Sequence, residues 1–178
     1  AVSGTLTFNP GVTSRTFTIA IIDDSVIESL ESVRLILSNP TGTALGRLSE
    51  AFLVIRDVEH GAFQFSAPVY QVNENGGTAI ITVTRTNGTD GAVAVNFATT
   101  NGTATAGSDY ATTSGTLNFA EGETVKTFMI AILNDAASEI RETVNLTLSN
   151  PTGGAVLGSV KIAELRILDD EPPAFAFS

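Results

Sequence analysis

The chain repeats itself. Ser3-Gly4-Thr5-Leu6-Thr7-Phe8 returns as Ser114-Gly115-Thr116-Leu117-Asn118-Phe119, and Phe17-Thr18-Ile19-Ala20-Ile21 returns as Phe128-Met129-Ile130-Ala131-Ile132. Leu37-Ser38-Asn39-Pro40-Thr41-Gly42 returns as Leu148-Ser149-Asn150-Pro151-Thr152-Gly153, and Ala62-Phe63-Gln64-Phe65-Ser66 as Ala174-Phe175-Ala176-Phe177-Ser178. A collinear match of this length sets the folding unit at about 110 residues before any residue is given a conformation. Residues 61–171 form one whole repeat, residues 1–60 match only its later half, and residues 172–178 match only its start. The chain therefore reads as a window cut from a longer array. Half a repeat offers half a core and an open sheet edge, so residues 1–60 are expected to pair with a neighbouring molecule.

Within the repeat the apolar residues alternate. Val93, Val95 and Phe97 form one set; Phe128, Ile130 and Ile132 a second; Val144, Leu146 and Leu148 a third; Ala163, Leu165 and Ile167 a fourth. The partial repeat carries the equivalents Phe17, Ile19, Ile21; Val33, Leu35, Leu37; and Ala51, Leu53, Ile55. Period two places each set on one face of a strand. Turn chemistry separates the runs at Asn75-Gly76-Gly77, Asn87–Gly91, Asn101-Gly102, Glu121-Gly122 and Pro151–Gly154. Short strands at this spacing predict an all-β fold, an antiparallel β-sandwich in tandem repeats.

Several functions are excluded by inventory. The 178 residues include 19 acidic and 9 basic side chains, a net charge of −10, which is the wrong sign for gripping phosphates, so nucleic acid is not an expected partner. No apolar run reaches the roughly 18 residues of a membrane span. With no cysteine there is neither disulfide, thiolate metal site nor cysteine catalysis. The chain opens at Ala1 with no charged-then-apolar leader, and reads as a mature product or an excised fragment. His60 is the only histidine and falls in a short connector, Asp57-Val58-Glu59-His60-Gly61, where an exposed linker residue is expected. Glu139 and Glu142 could imitate a glycosidase pair, but there is no tryptophan and only Tyr70 and Tyr110 to build a sugar groove, so no enzyme is expected.

Three triplets, beginning at Asn87, Asn101 and Asn145, fit the glycosylation sequon; such triplets arise often in Asn/Thr-rich strands. Phe63, Phe65, Phe175 and Phe177 read as core anchors. Arg34, Arg56, Arg85 and Arg166 read as solvated or ion-paired.

The acids gather at strand ends. Glu74 follows Val69–Asn73; Asp109 sits in Ala106–Tyr110; Asp135, Glu139 and Glu142 follow Phe128–Leu133; Asp169, Asp170 and Glu171 end the last apolar run. The partial repeat matches them with Asp24, Glu28, Glu31, Asp57 and Glu59. Crowded anions cost free energy unless distance or a cation relieves them. Oxygen-only donors without histidine or cysteine suit calcium rather than zinc or copper. No EF-hand spacing is present. By spacing alone, a calcium site and a merely solvated acidic rim stand level.

The ordered set Asn101–Tyr110, Ser114–Phe119, Leu148–Pro151 and Ile167–Asp170 resembles the Calx-beta repeat, over all of 62–171 and, in its later half, over 1–60. The resemblance implies a seven-stranded immunoglobulin-like sandwich with calcium sites on the loops at one end. Such repeats are found as sensors in sodium–calcium exchangers, in an integrin tail and in long extracellular arrays. Carried over by position, it implies metal ligands at Glu74, Asp109, Asp135, Glu139, Glu142, Asp169, Asp170 and Glu171, with the Ala137 carbonyl available. Asn134 and Ala136 replace the aspartates that flank this position in calcium-rich members, which implies one or two ions. In the partial repeat Val58 replaces the counterpart of Asp170, and the counterparts of Glu74 and Asp109 are absent. Its set (Asp24, Glu28, Glu31, Asp57, Glu59) is expected to be weak or empty.

The resulting expectation is a secreted or cell-surface structural or adhesive array, with calcium as cofactor stiffening the short junctions. Its partners would be neighbouring repeats, identical chains, and cell-surface or matrix ligands. The alternatives are a metal-independent filament subunit joined by strand exchange and a calcium-sensor segment of a membrane transporter.

Overall fold

The computed structural model describes residues 2–24 and 26–171. The expected start of a third repeat at 172–178, with Phe175 and Phe177, lies outside the described residues.

Among the described residues, two strands form in the partial repeat and nine in the whole one. β1 (Glu31–Ile36) and β2 (Glu50–Ile55) make an antiparallel pair, Val33 opposite Leu53. Then follow β3 (Ala62–Phe65), β4 (Val69–Asn73), a 3₁₀ turn (Glu74–Gly76), β5 (Thr78–Thr86), β6 (Val93–Asn101), β7 (Ser114–Phe119), β8 (Val125–Ala131), β9 (Glu142–Thr152), β10 (Val156–Leu157) and β11 (Ile162–Leu168). One sheet has the order β10-β3-β5-β8, and the facing sheet β4-β11-β9-β6-β7. The fold is the expected immunoglobulin-like, all-β sandwich.

Two details depart from a purely antiparallel, seven-stranded plan. The first strand is broken at Ser66-Ala67-Pro68, where proline cannot donate to a ladder. β3 therefore stays in one sheet while β4 crosses to the other. Each half pairs in parallel with a late strand, β3 with β10 and β4 with β11.

The alternating residues fill the space between the sheets. Val93, Val95, Phe97, Val144, Leu146, Leu148, Ala163, Leu165 and Ile167 are all buried. Phe97 stacks on Phe128 with ring centroids 3.9 Å apart, and Phe63 tilts against Phe119 at 5.0 Å. Each such side chain contributes about 1.5–3 kcal/mol through burial, and aromatic pairing adds about 0.5–1.5 kcal/mol. Tyr110 is fully buried, and its hydroxyl donates to Asn101 Oδ1 at 2.8 Å.

The partial repeat carries the same pattern without a facing sheet. Phe8, Phe17, Ile21 and Leu37 are each about half exposed, where their counterparts Phe119, Phe128, Ile132 and Leu148 are buried. The sequence dictates an apolar face in both copies, but only a second layer removes it from water.

Candidate metal centre

Register carries the acids to one pole of the whole repeat. β4 and β11 run parallel with Asn73 opposite Leu168, so the chain leaves both strands side by side. Glu74 and the Asp169–Glu171 run therefore emerge together. β9 begins at Glu142, paired with Ile167, and Asn101 at the end of β6 lies opposite Val144. The loop after β6 returns through Asp109 to Tyr110, which bridges to Ile132 just beyond β8. Four loops thus open at the same end.

Their carboxylates both hold the loops and crowd one another. Glu74, only 5% exposed, accepts from the Asp135 amide at 2.8 Å. Asp135 accepts from the Ala137 amide at 2.6 Å, and Asp109 from the Thr105 amide at 2.6 Å. Asp170 accepts from the Asn75 side chain at 2.6 Å. Two groups bring three carboxylate oxygens within 4.8 Å of one another: Glu74, Asp170 and Glu171; and Asp109, Glu139 and Glu142.

The electrostatics follow. Burial, then a hydrogen bond with Asp109 and the charges of Asp109, Glu139 and Glu74, pushes Glu142 up to about 7. Glu139 is raised by burial and by Asp109, Asp135, Glu74 and Asp169. Glu171 is raised first by the adjacent Asp169 carboxylate, then by burial. Among the described residues the ion pairs are Arg34–Glu50, Lys126–Glu123 and Arg166–Glu164, so none of the acids of this pole is ion-paired, although Arg141 lies in the same loop. Asp169 Oδ1 and Glu171 Oε2 are shielded from solvent without a hydrogen-bond partner. Oxygen-only donors, two orphaned oxygens and raised carboxyls make a set that suits a hard divalent cation.

The partial repeat brings its acids together more loosely. Asp57 accepts from the Glu28 amide at 2.7 Å, and Asp24 from Val26 at 2.7 Å. Glu28 is raised chiefly by Glu31 and Asp24, with Asp57 a smaller contributor. Glu59 is raised by burial, then by Asp57, and one of its oxygens is shielded and unpartnered. Glu59 also reaches the whole repeat through its main chain: its amide donates to Asp90 at 3.0 Å, while its carboxyl feels the charges of Asp57, Asp23 and Asp24.

Three residues took roles their sequence did not announce. Asp90 was legible only as a turn residue, yet it lines a cleft with Glu28, Leu30, Arg56 and Asp57. His60, expected as a free linker residue, is half-buried with Nδ1 2.9 Å from the Asp90 carbonyl oxygen. Arg85, expected to be solvated or ion-paired, is 2% exposed and bonded to main-chain carbonyls.

The fold and the acidic pole define an immunoglobulin-like sandwich with a loop-borne anionic cluster, arranged in tandem. The profile of the Calx-beta domain matches residues 1–59 and again 57–171, and the chain belongs to that family. It is 34% identical over 168 residues to sodium/calcium exchanger 1 of Bos taurus, covering 83% of this chain and 17% of the exchanger. It is 32% identical over 196 residues to adhesion G-protein coupled receptor V1 of Danio rerio, covering 96% of this chain and 3% of the receptor. The chain thus spans a small part of either relative. Among solved structures it is similar to the apo-form Calx CBD1 domain (TM-score 0.60, 33% identity, 62% of this chain and 97% of that one). It is likewise similar to the calcium binding domain CBD12 of CALX1.1 (TM-score 0.59, 33% identity, 61% and 45%). Among the described residues no helix is long and apolar enough to cross a membrane.

Proposed function

We propose that residues 61–171 are a non-catalytic calcium-binding module within a tandem array. Asp109, Glu139 and Glu142 would form one ligand group and Glu74, Asp170 and Glu171 the other, with Asp135 and Asp169 adding charge to both. The observation that carries this reading is the convergence of carboxylates from four loops, none of them ion-paired among the described residues. A bound cation would relieve their mutual repulsion, and the protein's own part is to hold the loops ready through the Asp135, Ala137 and Thr105 amides. Asp24, Glu28, Glu31, Asp57 and Glu59 would make a weaker set. Because Asp169–Glu171 lie at the exit of the sandwich, a cation there would stiffen the junction with the following repeat, which suits a structural or adhesive array displayed outside the cell. The likeness to a whole adhesion receptor segment, 96% of this chain, supports that reading.

A second reading, the calcium-sensing segment of a transporter, is favoured by the likeness to the exchanger. In both readings calorimetry of the full chain with calcium gives saturable binding that Asp135→Ala weakens. No heat and no melting shift at millimolar calcium would remove them together. Attachment to a membrane exchange domain or to a long row of further repeats decides between them.

A further inference from the structure

At the other end of β5, far from the acidic pole, the junction between the two repeats is built into the second sandwich. The inward series Ala79, Ile81, Val83 continues to Arg85, so the strand's own alternation drives a guanidinium into the core face. Burial lowers its proton affinity, and the charge of the Asp90 carboxylate partly restores it. Its hydrogen bonds go to four carbonyls: Nε to His60 at 2.8 Å, Nη2 to Asp90 at 2.6 Å, and Nη1 to Gly91 and Ala120 at 3.2 Å each. A buried cation of this kind is costly unless every donor is met. One of those acceptors belongs to the linker rather than to the sandwich proper.

The linker is gripped from two other sides. Glu59 and Asp90 bond reciprocally: the Glu59 amide to Asp90 Oδ2 at 3.0 Å, and the Asp90 amide to the Glu59 carbonyl at 3.0 Å. The Gly61 carbonyl accepts from the Val156 amide at 3.0 Å. Three glycines make room. A Cβ on Gly61 would run into the carbonyls of Gly88 and Thr86, one on Gly88 into the Glu59 main chain, and one on Gly154 into the His60 ring. All three also sit at positive φ, which other residues rarely adopt.

We propose that the pole formed by Arg85, Gly88, Asp90, Ala120 and Gly154 is a preformed socket for the tripeptide Glu59-His60-Gly61, fixing the direction in which the preceding repeat joins without help from a cation. The proposal goes beyond calcium binding: none of its contacts uses a residue of the acidic pole of 61–171, and Glu59 enters it only through its main-chain amide and carbonyl, not through its carboxylate.

The test is amide exchange by NMR on the full chain in EDTA, where failure of calcium binding has no bearing. The Glu59 and Asp90 amides are expected to exchange as slowly as those in the middle of β5, and added calcium to leave them unchanged. Asp90→Ala removes the side-chain acceptor and speeds Glu59 exchange by on the order of tenfold, the equivalent of one lost hydrogen bond, while the β5 amides hold their rates and report an intact fold. Gly154→Ala pushes on His60 and moves the single imidazole resonance of the chain. Free exchange at Glu59 in EDTA that slows only with calcium would overturn the proposal. So would an Asp90→Ala protein whose Glu59 amide keeps its wild-type rate, or a Gly154→Ala protein whose imidazole signal does not move.

Discussion

Replacing Glu142 by glutamine removes one charge from the acidic pole and keeps the side chain's size. In the folded chain the Glu142 carboxyl rises from 4.5 to about 7, by burial first and then through Asp109, Glu139 and Glu74. Between those values the folded state binds more protons than the unfolded one, so the apo protein loses stability as pH rises through the window. A rise of about 2.5 pKa units, at about 1.36 kcal/mol each, sets a ceiling near ~3.4 kcal/mol. Glu142 is partly exposed, and solvent screening reduces this to about 1 kcal/mol. For a unit of this size that is a melting shift of about 4 °C. The assay is thermal melting in EDTA at pH 8 and pH 5. Glu142→Gln is expected to melt above wild type at pH 8 and level with it at pH 5, where the native carboxyl is already protonated. With calcium at pH 8 the order reverses, because the variant has lost a ligand. An apo variant that melts no higher at pH 8, or gains equally at both pH values, would refute the reasoning.

Further outcomes follow from the same structure. Calcium at about a hundred times its dissociation constant stabilises the folded module by about 2.7 kcal/mol, seen as a rise in melting temperature that EDTA reverses. Phe63→Ala, which empties the fully buried site against Phe119, costs about 3–5 kcal/mol in urea unfolding. Tyr110→Phe, which takes the hydroxyl from Asn101 Oδ1, costs about 1 kcal/mol in the same measurement. The half-exposed Phe8, Phe17, Ile21 and Leu37 bind a hydrophobic dye, and Phe17→Ser lowers that signal while leaving the melting of residues 61–171 unchanged.

The strands were legible because alternation is a local property. Val93-Val95-Phe97 and Val144-Leu146-Leu148 announce a buried face whatever lies opposite. Partners are not local: nothing in Val69–Asn73 tells that it leaves the sheet of β3 to run parallel to β11, a consequence of the break at Pro68. Partial-repeat residues with the same pattern, Phe17 and Val33 among them, stay exposed, since periodicity names a face and not its cover. The acids could be read as loop-borne; that they gather at one end came only through the family resemblance, because the strand register that brings them together is not a local property. Arg85 shows the limit from the other direction. Its place in the inward series of β5 could be counted off, but its carbonyl partners come from three separate segments. Asp90 and His60 looked like turn and linker residues because their partners lie about thirty positions away.

The most direct test is anomalous diffraction from crystals grown in millimolar calcium. A peak is expected about 2.3–2.6 Å from carboxylate oxygens of Asp109, Glu139 and Glu142, or of Glu74, Asp170 and Glu171, and is absent from crystals of Asp109→Asn combined with Glu142→Gln at the first group. A calcium-saturated crystal with no ion at either group would contradict the account.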